Sequence, residues 1–230
     1  DKPSFGIPVA CIAPNDALPL LRACAEGGTG RLIVDGTGGR RKAFNILGSL
    51  TRGAGKTIVV STPRSGWLTC AGERGPGIAT WLDLARWAPA ALPGLNLMFS
   101  CNSGHEYENA GSEELVRSHA PPPAEVALWL HLGAGFAARD WHEVGGGMRP
   151  LGSADPQRAC AATDITADAA RAAFAGLPGL DRPIVTSDMR QGETGTIIGA
   201  GYMNTVGLLA AHRFHHHLDD DARCVDIGML

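Results

Sequence analysis

The sequence predicts an α/β fold: a mixed, mostly parallel central sheet with helices on both faces, in one domain over residues 1–230. Three observations carry this reading. Residues 57–61 (TIVVS), 95–99 (LNLMF) and 126–132 (VALWLHL) are largely apolar or β-branched runs, the pattern of strands buried on both sides. Between the first two, Ile78, Trp81, Leu82 and Ala85 recur at helical spacing. Strand-like and helix-like segments alternate along the chain, the order that builds a sheet covered on each face.

Taken in order, residues 7–13 (IPVACIA) form a short apolar run closed by Pro14. Asp16 is then the cap candidate for a helix carrying Leu18, Leu21 and Cys24, with Gly27 and Gly28 as the stop. Residues 31–34 and 42–50 read as two strands of a hairpin, split by the GTGG turn at 36–39. The helix over 77–88 (GIATWLDLARWA) is expected to stop before Pro89, because proline lacks the N–H that a helix interior uses. Residues 95–100 form the next strand, and 112–119 a short polar helix ended by the prolines at 121–123. The Gly/Pro-rich section 145–156 reads as a loop or lid within the domain. Residues 166–175 suit an Ala-rich capped helix and 183–187 a strand, while 196–211 is apolar and glycine-broken and leaves both states open. The end, FHHHLDDDARCVDIGML, reads as an active-site loop leading into a helix that is cut short.

Composition narrows the function classes. Hydrophobic content of 44% with 19% charged residues is that of an ordinary globular chain. A net charge of −3 argues against nucleic acid as a partner, since phosphate binding needs a basic face. No run approaches the roughly 18 apolar residues of a membrane span, so no membrane partner is expected. The opening DKPSFGIP lacks the basic region and apolar core of a signal peptide, so none is expected here. Six cysteines (Cys11, Cys24, Cys70, Cys101, Cys160, Cys224) are scattered without a CxxC pair. Free, mostly buried thiols are expected, which favours a reducing, cytoplasmic compartment. The glycines at 36–39 and 199–201 lack the GxGxxG spacing of a nucleotide site.

The chemistry centres on residues 99–112, FSCNSGHEYENAGS, where His105 and Glu106 follow a strand in a glycine-flanked turn. Open α/β sheets place ligands at such strand ends. An imidazole beside a carboxylate serves as a base, as metal ligands, or as both. Other candidates are Glu73, Cys70, His131 and the run His215, His216, His217. Each has a plainer reading. His131 inside an apolar strand is either a hydrogen-bonded core residue or a ligand, and the histidine run with Asp219–Asp221 is either a site or a solvated, charge-balanced turn. Cys70 offers a nucleophile if it meets His105. Trp67 is placed to wall a pocket, and Glu193 is either a support for the site or a surface carboxylate.

Four segments, TIVVSTPRSGW, GERGPGIATWLDLARW, MFSCNSGHEYENAGS and FHHHLDDD, now match a family in order and spacing. From about Arg41 onward the chain resembles the zinc-dependent aminopeptidase-like hydrolases that use two neighbouring zinc ions. That superfamily also holds glutaminyl cyclases and non-catalytic members such as the transferrin receptor. The resemblance implies a three-layer sandwich of the phosphorylase/hydrolase-like type. It makes residues 1–28 similar to the tail of a protease-associated insert, and parts of the natural protein are expected to lie outside this chain. It puts the family's first metal His on Thr62 and the partner Asp on Arg64, so both are lost. The bridging Asp falls on Glu73, the general-base Glu on His105 and the metal-binding Glu on Glu106. The later Asp falls on Gly133, two residues after His131, and the final His is kept as His215.

The resemblance therefore implies a hydrolase acting on an amide, peptide or related C–N bond of a small polar substrate. The altered site would hold at most one zinc or other divalent metal on Glu106, His215 and Glu73. His105 and Glu73 are the catalytic candidates, with His131, His216, His217 and Cys70 in reserve. Two alternatives stay open: a non-catalytic binding or interaction module, and metal-free His/Glu or Cys/His catalysis. The expected partner is a small molecule or short peptide.

Overall fold

The computed structural model describes residues 9, 10, 12, 14–53, 55–189 and 191–229. The chain divides into two units, Asp1–Lys42 and Ala43–Leu230. The first contains helix α1 (Pro14–Ala25), with Pro19 inside it and Leu18 and Leu21 exposed. Residues 7, 8, 11 and 13 of the apolar opening run lie outside the described residues. The hairpin expected across 31–50 does not form. Residues 31–34 are exposed and in no strand, and only β1 (Ile46–Leu50) is extended. That strand finds its ladder elsewhere, antiparallel to β3 (Asn96–Asn102), which satisfies its backbone on a sheet edge.

The second unit is built on a seven-stranded sheet in the order β1-β3-β2-β4-β9-β7-β8. Its middle is parallel: β3, β2 (Thr57–Pro63), β4 (Val126–Leu132) and β9 (Thr205–Leu209) run the same way. Beyond them, β7 (Ala159–Ala162) is antiparallel to β9, and β8 (Ile184–Val185) is parallel to β7. Alternate residues face opposite layers, as the pleat requires. On one side Val60, Leu97, Phe99, Leu132 and Leu208 pack with Trp81 of α2 (Ala71–Ala91) and Ala170 of α4 (Ala167–Ala173). On the other, Val59, Met98 and Trp129 pack with Leu115 of α3 (Ala110–Ser118) and Ile197 of α5 (Gly192–Gly199). Each fully buried large side chain here contributes about 1.5–3 kcal/mol of transfer free energy. The expected α/β fold with helices on both faces is the one observed.

Helix α2 departs from expectation at both ends. It begins at Ala71 and runs through Pro76 and Pro89 to Ala91. Past Pro89 the ladder resumes, with Leu92 N–H donating to Ala88 O. Leu82 faces outward, and the inner stripe instead runs through Ile78, Trp81, Ala85 and Ala88. Gly77 lets the helix lie directly on the sheet, because a Cβ there would stand 2.6 Å from Thr62 Oγ1 and 2.9 Å from Leu132 O. This close approach brings the first turn of α2 to the carboxyl ends of the parallel strands.

Two further expectations are corrected and one left open is resolved. Most of residues 145–156, expected as a loop or lid, belong to a two-stranded hairpin, β5 (Arg139–Val144) with β6 (Gly147–Ala154). Its turn residues Gly145 and Gly146 have φ of 59° and 77°, the left-handed pair that a tight hairpin demands. Residues 196–211 hold both states, the end of α5 and then β9. The chain end carries two 3₁₀ turns, Ala222–Cys224 and Ile227–Met229, where a helix was expected. There the Asp221 carboxylate takes the backbone N–H of Arg223, closing a local turn in its place. No described helix is long and apolar enough to cross a membrane.

Candidate active site

Three chain segments meet at the carboxyl ends of the parallel strands. The turn after β3 carries His105 and Glu106, the first turn of α2 carries Glu73 and Arg74, and the loop after β9 carries His212, His215 and His216. Glu73 and Arg74 are buried. Nη2 of Arg74 lies 2.8 Å from Glu73 Oε1 and 2.7 Å from Glu106 Oε1, and its Nε donates to Ser65 O at 2.6 Å. Burial pushes the Glu73 carboxyl above the usual carboxylate range, while Arg74 and His216 pull the other way.

Two histidines reach the same carboxylate. His215 Nε2 lies 3.7 Å and His216 Nε2 3.3 Å from Glu73 Oε1, and the two rings stack at 4.2 Å. Donor atoms of Glu73, His215 and His216 all fall within 4.8 Å of one another. Glu73 Oε2 and His215 Nδ1 are buried without a hydrogen-bond partner. Burial, with the neighbouring His216 and His212, holds His215 down at about 4, so its imidazole is neutral at physiological pH. One carboxylate and two imidazoles, with Glu73 Oε2 and His215 Nδ1 left unpartnered, fit one zinc ion. Two positions that the sequence resemblance puts on metal ligands are engaged elsewhere. Thr62 gives its hydroxyl to Leu132 O, and Arg64 gives its guanidinium to Phe44 O.

The His loop is braced against α2. Asp220 caps the helix from far along the chain: its backbone O accepts from Ala71 N–H, Oδ1 from Gly72 N–H and Oδ2 from Glu73 N–H. His212 stands 3.3 Å from the same carboxylate. Burial raises the Asp220 carboxyl, but His212 and the helix N–H groups outweigh it and hold it below its usual range.

Beneath the turn, the second face of the sheet is polar at its carboxyl end. Ser100, Ser61, His131 and Gly207 are neighbours in register across four strands. Ser61 Oγ accepts from Trp129 Nε1 at 2.8 Å and pairs with His131 Nδ1 at 2.9 Å. Burial drives His131 down to about 4, so it is a neutral core histidine. Glu193, buried on α5, lies 4.0 Å from His131 and accepts from Asn102 Nδ2 at 2.8 Å; Asn102 also accepts from Ser100. Its other oxygen meets His105 Nδ1 at 3.3 Å. Gly207 makes room for this helix, since a Cβ there would stand 2.6 Å from Thr194 Oγ1.

Glu73, His105, His131, Gln191, Glu193 and His215 line a single cavity of about 280 Å³. Glu106 and His216 are not among the lining residues, and Glu106 Oε2 stands 3.9 Å from His216 Nε2. The remaining sequence candidates lie apart from this wall. Cys70 is half-buried at φ 42° just before α2, and burial followed by the Glu73 charge keeps its thiol protonated. His217 is exposed and pairs with Asp219 at 3.4 Å. Trp67 is half exposed and lines none of this cavity. Arg74, Asp220, His212 and Asn102 were not singled out in the sequence. The sequence carries no signal for Asp220, because its role rests on a helix start at Ala71 that only the fold reveals.

No family model matches the chain, and no curated protein does. Solved structures do match in fold. A Zn-dependent exopeptidase from Parabacteroides distasonis aligns at TM-score 0.58 with 11% identity, over 80% of this chain and 72% of that one. A glutaminyl cyclase from Bacteroides thetaiotaomicron, bound to N-acetylhistamine, aligns at 0.58 with 14% identity and the same coverage. A zinc aminopeptidase from Bacillus subtilis aligns at 0.60 with 14% identity, over 79% of this chain and 45% of that one. The chain has the aminopeptidase-like α/β fold found in zinc-dependent exopeptidases, aminopeptidases and glutaminyl cyclases.

Proposed function

We propose that this chain hydrolyses an amide, peptide or related C–N bond of a small polar substrate. Its site would hold one divalent metal on Glu73, His215 and His216, with His105 as the base. The observation that carries the reading is convergence: one cavity is lined by Glu73, His215 and the His105–Glu193 pair. A zinc ion held there supplies Lewis-acid polarisation of a carbonyl group. His105 donates Nδ1–H to the buried Glu193 carboxylate, which leaves Nε2 as the free acceptor. Nε2 takes a proton from water as its oxygen bonds to the carbonyl carbon, and returns it to the nitrogen as the C–N bond breaks. A cavity of about 280 Å³ suits a small amide or the end of a short peptide.

The test is metal analysis of protein purified without a His tag, joined to turnover of aminoacyl amides, dipeptides and glutaminyl peptides. Turnover abolished by chelators and restored by zinc or manganese is expected. Less than about a tenth of an equivalent of metal, with no activity on adding it, removes the metal part of the reading. One observation favours a metal-free version, the Arg74 guanidinium already seated on Glu73. That version requires activity that survives chelators and is lost in His105→Ala. A folded chain with no turnover on any of these substrates would instead favour a binding module.

A further inference from the structure

The two ends of the histidine loop meet in a second buried cluster, outside the cavity lining. His212 stands where the loop leaves β9, and Asp220 and Cys224 stand where it closes. Their exposures are only 3%, 1% and 0%. One donor atom from each, an imidazole nitrogen, a carboxylate oxygen and a thiol sulfur, falls within 4.8 Å of the others. Gly72 permits this convergence. A Cβ there would stand 2.8 Å from both Asp220 Oδ1 and His212 Cε1, and 3.0 Å from Cys224 Cβ. His212 Nε2 is buried without a hydrogen-bond partner, although Asp220 Oδ2 lies 3.3 Å away. Zinc bonds of about 2.0–2.2 Å at the tetrahedral angle hold N and O about 3.4 Å apart, so this spacing suits two ligands of one ion. The helix N–H groups take one lone pair on each Asp220 oxygen and leave another on each.

We infer that His212, Asp220 and Cys224 form a structural zinc site, a clasp that ties both ends of the histidine loop to the start of α2. Imidazole, carboxylate and thiolate are all ligand types that zinc takes. The ion replaces the proton of Cys224, which passes to solvent. Burial and the Asp220 charge push that thiol up to about 11, so the metal itself must drive the loss. His212 binds through Nε2 with its ring proton on Nδ1, giving up only a long 3.4 Å contact from Phe214 N–H. Asp219 O, 3.3 Å from the sulfur, offers a further oxygen. So enclosed a site serves structure, since catalysis needs an open position.

The experiment titrates cobalt(II) into the full chain, stripped with chelator and kept reduced, and reads the near-ultraviolet thiolate-to-cobalt charge-transfer band. A centre on Glu73, His215 and His216 has no sulfur and gives no such band. The unsubstituted chain should show it, Cys224→Ser should lose it, and Cys70→Ser and His216→Asn should keep it, with circular dichroism checking each fold. No band in the unsubstituted chain overturns the inference, as does a band kept in Cys224→Ser or lost in Cys70→Ser or His216→Asn. A band with no metal-dependent turnover leaves the clasp standing while the metal part of the proposed function falls. Cobalt-dependent turnover without a band does the reverse. Should Cys224→Ser not fold, zinc X-ray absorption of Cys70→Ser decides. A sulfur at about 2.3 Å from the zinc supports the clasp, and a shell of N and O alone overturns it.

Discussion

A carboxylate with no exposed surface stays ionised only where neighbours replace its water. Glu193 meets that condition. Burial pushes its carboxyl up, but the hydrogen bond with His105, the nearby His131 and the hydrogen bond from Asn102 bring it below the usual range. Its use is to fix the His105 tautomer. Glu193→Gln should therefore lower kcat/KM about a hundredfold while circular dichroism stays unchanged, since a misoriented base loses most of its advantage. Activity within a factor of a few of the parent would remove His105–Glu193 from the mechanism. His216 sits at φ 60°, a left-handed conformation that asparagine tolerates better than most residues. His216→Asn should keep the thermal midpoint and weaken zinc binding at least about tenfold, as calorimetry would read it. His105 and Glu106 stood out in the sequence as an adjacent pair in a glycine-flanked turn, and Glu73 and His215 only through the family resemblance. Arg74 was not, because nothing in GERG reveals that two carboxylates converge on one guanidinium.

At the scale of elements, the site depends on how α2 begins. The first turn of any helix leaves four N–H groups without partners. Cys70 sits in a left-handed conformation and offers no side-chain cap, so Asp220 supplies acceptors to Ala71, Gly72 and Glu73. The same contact fixes Glu73 and anchors the loop bearing His215. Asp220→Ala should cost about 2 kcal/mol in urea unfolding, at the upper end for a lost cap because the N–H groups it abandons are buried. It should weaken zinc binding as well. A stable variant with unchanged zinc affinity would show that the brace does not position Glu73. Strands β2 and β4 were legible because burial on both faces writes an unbroken apolar run. The β5–β6 hairpin was not, since glycine and proline at 145–156 signal a loop until the two left-handed glycines are seen to close a turn. The start of α2 was obscured by Gly72, Gly75 and Pro76, whose smallness or shape serves packing on the sheet more than helix propensity.

Across the Ala43–Leu230 unit, the histidines set the response to acid. His131 and His215 both stand at about 4, lowered chiefly by burial from an ordinary value near 6.5. Between those values the unfolded chain binds protons that the folded chain refuses, so stability falls as pH drops from about 6.5 towards 4. For His131, which is fully enclosed beside Ser61 and Trp129, the shift corresponds to about 3 kcal/mol lost by pH 4. Glu73 opposes this, because its raised carboxyl takes a proton more readily in the folded state and so favours folding as the pH falls towards its unfolded value. Asp220 acts with the histidines, but only at more acidic pH, where its depressed carboxyl is finally protonated. The histidine window opens near 6.5, above that of Asp220, so it should govern the first loss, with Glu73 offsetting part of it. His131→Gln keeps a group able to bond Ser61 Oγ and carries no titrating proton. Urea unfolding at pH 7 and pH 5 should show a clear drop in stability for the parent and a shallower one for His131→Gln. Parallel slopes for the two proteins would place the acid sensitivity elsewhere, and the coupling of His215 to the loop would then be the next group to remove.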